Sequence, residues 1–232
     1  MRAVLLLAAA ALSLAGCAGK ERLATVGDVA AAEQATGWRA LIAHDDSERL
    51  QNLDGIWQEA RAVAMRRSKS ALAGEADLLA ADAALDHPAL PPGSYNCRLV
   101  SIGQKTRRGP AVRAYRPFFC YVRSEGADAL SFTKQTGTDL PGGWLHPDGD
   151  RRYVFLGAKQ LKPGDNSLGY GSDSDRDLAG VVERVAPFRW RLVVPWRNGK
   201  PGLDVYELTP VPAEQQAPQA TETTATDTTP GG

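Results

Sequence analysis

From Pro91 to Pro210 the chain keeps returning to short stretches in which apolar and polar residues alternate, and no run with helical period separates them. Parallel neighbours in a sheet need a crossover of a dozen or more residues, usually a helix, so this half of the chain is confined to antiparallel sheet. Rossmann and α/β-hydrolase architectures are thereby excluded. Tyr95, Cys97 and Leu99 share one strand face, and Phe118, Cys120 and Val122 another. Leu130 and Phe132 follow a turn at Glu125-Gly126. Arg151 to Leu156 follows the turn Pro147-Asp148-Gly149-Asp150. Ala179 to Val185 turns at Ala186-Pro187 into Phe188, Trp190, Leu192 and Val194, which alternate with Arg189 and Arg191. Leu203 to Leu208 closes the series. About seven to eight short strands of this kind make an antiparallel β-barrel or β-sandwich.

A second character precedes it. Asp28 to Pro88 holds sixteen alanines and two aromatics, whereas Pro91 to Pro210 holds seven alanines and fourteen aromatics. Helix formers give way to strand formers at the Pro88–Pro92 punctuation. Asp45 or Asp46 can cap a helix whose apolar positions Leu50, Leu53, Trp57, Ala60 and Ala64 recur at spacings of three and four. A second helix is expected over about Ala71 to Leu85, with Gly74 as its weak point. The expected fold class is α+β, a helical N-terminal segment (28–90) packed on the β domain (91–210). After Pro210 the Thr- and Pro-rich tail (211–232) lacks the apolar residues needed to order itself.

The N-terminus carries an address. Arg2 precedes an almost wholly apolar run, Ala3 to Gly16, that is shorter than the roughly 20 residues of a membrane-spanning helix. It therefore reads as a signal peptide (1–16). Leu14-Ala15-Gly16-Cys17 resembles the lipobox of bacterial lipoproteins, which implies lipidation of Cys17 and a linker (17–27) beyond it. Each buried methylene of such an anchor adds about 0.8 kcal/mol of membrane affinity. Ala18 and Gly19, rather than an aspartate, follow the cysteine, which favours the periplasmic face of the outer membrane. In that oxidising compartment Cys97 and Cys120 are expected to pair, closing a loop worth about 3.4 kcal/mol in the chain-entropy model. The alternative is two buried thiols that never meet.

Chemistry is harder to find. With 27 Lys plus Arg against 27 Asp plus Glu, no global field draws the chain to nucleic acid. No motif asks for a cofactor, and His44, His87 and His146 lie too far apart in sequence for a metal-ligand spacing. Asp173, Asp175 and Asp177 alternate as calcium ligands do, yet the glycine and glutamate of an EF-hand are missing. Ser131 and Lys134 have the spacing by which a lysine activates a serine in penicillin-binding proteins. On a strand, though, residues three apart point to opposite faces. Arg151, Arg152, Arg189 and Arg191 could share an outward basic face around Trp190, open to an anionic partner.

Several blocks then occur in order: Tyr95-Asn96-Cys97-Arg98, Phe118-Phe119-Cys120, Ser131 to Gly137, Pro147 to Arg152 with Val154 to Gly157, Arg176 to Gly180, Arg189 to Val193 and Leu203-Asp204-Val205. The set resembles the bacterial family grouped as domain of unknown function 4893, over about Trp38 to Thr209. The resemblance implies one exported unit and carries no catalytic residue with it. Three functions follow as expectations. The first is a non-catalytic envelope module binding a protein, glycan or lipid partner. The second is a carrier of an apolar ligand, with Trp190, Phe155 and Phe132 facing a cavity. The third is a hydrolase using Ser131 and Lys134.

Overall fold

The computed structural model describes residues 37–106, 108–126, 129–136, 140–160 and 169–215. The segments read as signal peptide and linker, Cys17 with them, and the tail from residue 216 lie outside the described residues. Nine strands follow three helices: α1 (His44–Gln51), α2 (Leu53–Arg67), α3 (Lys69–Gly74), β1 (Gly93–Gly103), β2 (Val112–Ala114), β3 (Phe118–Ser124), β4 (Leu130–Lys134), β5 (Leu140–Pro147), β6 (Arg152–Gln160), β7 (Asp177–Ala186), β8 (Arg189–Pro195) and β9 (Gly202–Pro210). Every pairing is antiparallel, in the order β1-β3-β4-β5-β6-β7-β8-β9, and β9 pairs back on β1 from Pro210↔Tyr95 to Gly202↔Gly103. The sheet is therefore a closed eight-stranded barrel, not a sandwich, and closure removes its edges.

Strand β1 changes partner along its length. Its first half pairs with β3 and ends at Cys97↔Phe118, and its second half pairs with the extra strand β2 across Val100, Ser101 and Ile102. Tyr115-Arg116-Pro117 bulges between these two pairings on the same side of β1, with the Tyr115 N–H donating to Leu99 O at 2.9 Å.

Side-chain parity divides the apolar residues into two cores. Tyr95, Cys97, Val122, Phe132, Phe155, Trp190 and Leu208 point into the barrel. Val100, Ile102, Val181, Val193, Leu203 and Val205 point out, against Leu53, Trp57, Ala60 and Ala64 of α2. Ala60 and Ala64, both fully buried, let the helix backbone lie close to the strands. Strands β8 and β9 are consequently buried on both faces, and each large apolar side chain so enclosed contributes about 1.5–3 kcal/mol.

Four expectations need correction. The helix anticipated over 71–85 ends at Gly74, and Glu75 to Pro92 runs as turns and extended chain, in which Leu78 and Leu79 are fully buried. The carbonyls of Leu78, Leu79 and Ala80 accept hydrogen bonds from Arg191 and Arg61 instead of from a helical backbone. Neither Asp45 nor Asp46 caps α1, which starts after Ala43. Asp46 is buried and accepts hydrogen bonds from Arg49 and from Tyr170 Oη at 2.6 Å, with Arg197 at 3.3 Å. Strand β5 escapes a reading by composition because it holds Pro141, Gly142, Gly143 and Pro147. Its glycine has a steric cause: a Cβ on Gly143 would stand 2.4 Å from Gly157 Cα on β6. Phe188, expected to share a strand face with Trp190, sits in the turn at φ 54° and is 72% exposed.

Candidate functional site

The barrel's two ends differ. At one, Tyr95 and Trp190 meet edge to face at 6.3 Å. The Trp190 indole donates to Pro88 O at 3.0 Å and the Tyr95 hydroxyl to Pro91 O at 2.6 Å. Leu90 is buried with them, so the proline-rich segment between the two halves stoppers the lumen. Burial alone pushes the Tyr95 hydroxyl above its ordinary pKa, keeping it a neutral donor. Phe132 and Phe155 fill the middle at 6.1 Å. Trp190, Phe155 and Phe132 are buried and interdigitate with other rings instead of facing a ligand space, so the apolar-carrier expectation fails at these residues.

At the other end lies a cavity of about 460 Å³. Leu99, Phe118 and Tyr206 form its apolar floor, with Phe118 and Tyr206 edge to face at 6.3 Å. Tyr115, Arg116 and Pro117, which bulge between β2 and β3, make one wall. Lys134 and Lys159 reach it from inward-facing positions of β4 and β6, in parity with Phe132 and Phe155. Lys134 is only 7% exposed, its ammonium 4.2 Å from the centre of the Phe118 ring. Lys105 and Asp204 complete the lining. The Asp204 carboxylate accepts hydrogen bonds from Ser101 Oγ at 2.5 Å and Lys105 Nζ at 3.1 Å.

Cys97 and Cys120 form a disulfide with Cα atoms 6.0 Å apart. Cys97 belongs to the last residue pair between β1 and β3, so the bond ties these two strands together beside the bulge at Tyr115-Arg116-Pro117.

The other anticipated site residues are not gathered there. Ser131 lies on the outer face of β4 and donates to Glu125 Oε1 at 2.8 Å, while Lys134 lies on the inner face. That is the strand geometry that keeps a lysine from activating a serine three residues away. The basic outward face is also corrected. Arg191 is fully buried, donating to Glu183 Oε2 at 2.8 Å and to the Leu78 and Ala80 carbonyls, with Trp57 stacked at 5.1 Å. Outward from the barrel is here inward to the protein, because the helices and the segment after them cover that wall. Trp190 is likewise interior. Arg151, Arg152 and Arg189 remain at least partly exposed, but each faces a carboxylate, of Asp86, Asp148 and Glu207 respectively. Asp173 and Asp177 accept from the backbone N–H groups of Asp175 and Gly171, ordering their loop. Among the described residues no three His, Cys, Asp or Glu side chains gather as a metal site.

Sequence reasoning missed the cavity because its cations come from four separate places in the chain. The available signal was parity: Lys134 and Lys159 extend the inward series of their strands.

Neither a curated relative nor a solved structure matches the chain. The model of the family described as Domain of unknown function (DUF4893) matches residues 38–208, well over half of the protein, and the chain belongs to that family.

Proposed function

We propose that the protein is a non-catalytic binding module of the bacterial envelope that takes a small molecule into the open mouth of its barrel. The observation that carries this reading is the asymmetry of the lumen. Aromatic packing fills it at one end, and a cavity of about 460 Å³, within the roughly 300–1,000 Å³ of small-molecule sites, remains at the other. Eight strands enclose just enough space for a filled core or for one small ligand, and this barrel divides its length between the two. The signal sequence and Cys17 support a lipid-anchored protein facing the periplasm, and the disulfide suits an oxidising compartment.

Amide NMR during titration with a set of small organic probes tests the binding site. Shifts that saturate at Leu99, Phe118 and Tyr206 and spare Tyr95 and Trp190 are expected. Shifts confined to the stoppered end or to the helices would overturn it.

A further inference from the structure

We propose that the mouth cavity selects a small organic anion, a carboxylate or phosphate carried on an apolar body; this rests on the cavity being the binding site. Among the described residues, Lys105, Arg116, Lys134 and Lys159 line it with one carboxylate, that of Asp204; Lys105 is paired with it and Lys134 has contacts of its own, so Arg116 and Lys159 carry the surplus. Asp204 is already engaged by Lys105 and Ser101. Among the described residues no carboxylate lies within ion-pair distance of Arg116 or Lys159.

This surplus is local. The whole chain balances 27 basic against 27 acidic side chains, and Arg152, Arg189 and Arg191 on the outer wall of the barrel are each matched by a carboxylate. Lys134, nearly enclosed and with its ammonium over the Phe118 ring, adds positive potential where the dielectric is lower than in water. Below the cations the cavity floor is Leu99, Phe118 and Tyr206, which offers an apolar body the edges and faces of two aromatic rings. Cations at the mouth and rings beneath them match a molecule with an oxyanion at one end and a flat apolar group at the other.

Four probes test this on the purified protein: 2-naphthoate, 2-naphthyl phosphate, neutral 2-naphthamide and inorganic phosphate, with the amide shifts of Leu99, Phe118 and Tyr206 as readout. The two naphthyl acids are expected to bind about tenfold or more tighter than the amide, and to weaken as salt is added. Arg116→Gln with Lys159→Met, at two exposed positions, should cost the acids about tenfold and leave the amide unchanged. Lys134→Met should do the same in protein whose melting temperature is retained. Naphthamide binding as tightly as naphthoate would overturn the anion assignment while leaving the cavity as the binding site. Shifts from none of the four probes would overturn both. Inorganic phosphate saturating the same amides as tightly as naphthyl phosphate would overturn the organic body and leave a bare oxyanion site.

Discussion

The stoppered end of the barrel and its open mouth use the same strands and the same parity, yet spend their inward positions differently. At the stoppered end those positions hold Tyr95, Trp190 and Leu208, closed over by Leu90. At the mouth the same strand faces end in Ser101, Lys134, Lys159 and Asp204, beside the bulge Tyr115-Arg116-Pro117 between β2 and β3. One end earns stability by burial. The other keeps polar groups in a half-enclosed space, an arrangement that costs desolvation and makes sense where something polar is received.

Substitutions can break that contrast. The largest effect is expected from Phe155→Ala in the filled half, about 3–5 kcal/mol by urea unfolding, because the partners of a fully buried ring cannot collapse into its place. Removing the staple with Cys97→Ala and Cys120→Ala should cost about 3 kcal/mol and loosen the β1–β3 pairing, read as faster amide exchange in β3. Replacing Arg116 and Lys159 together should alter stability by less than about 0.5 kcal/mol while weakening anion binding. A loss of several kcal/mol there would mean that the mouth, too, is built for stability.

The smallest effect concerns His146, which belongs to neither end. It sits half-buried on the outer wall in a groove with Trp144, Leu41 and Tyr170, where burial lowers its pKa from the ordinary 6.5. Its unfolded form therefore takes up a proton before its folded form does. Stability present above about pH 6.5 should decline as the pH falls through that value, and His146→Gln should flatten this part of the profile in urea midpoints measured between about pH 8 and pH 5.

Much of the barrel was legible in alternation alone. The inward parity of Tyr95, Cys97, Phe132 and Trp190 follows from a period of two, and the pairing of the cysteines follows once both lie on inner faces of adjacent strands. The apolar helical face with Leu50, Leu53, Trp57, Ala60 and Ala64 was equally plain, although the one helix expected there breaks at Asn52 into α1 and α2. What stayed hidden depends on closure and on cover. Alternation marks Arg191 as facing away from the lumen, but only the packed helices turn that face into an interior. Local propensity favours a helix after Gly74, whereas a buried guanidinium claims the carbonyls there. The proline run looks like a boundary and serves as a stopper. The cations of the mouth come from positions 105, 116, 134 and 159, which nothing local connects until the last strand pairs with the first.

Native mass spectrometry of the protein purified gently from its own envelope, beside a Leu99→Trp variant that fills the cavity floor, tests the central claim most directly. A small organic adduct is expected on the parent, beyond the mass of any acyl chains, and absent from the variant. An adduct retained equally by both proteins, or a parent that carries none while binding a stoichiometric protein partner, would contradict a ligand held in the mouth of the barrel.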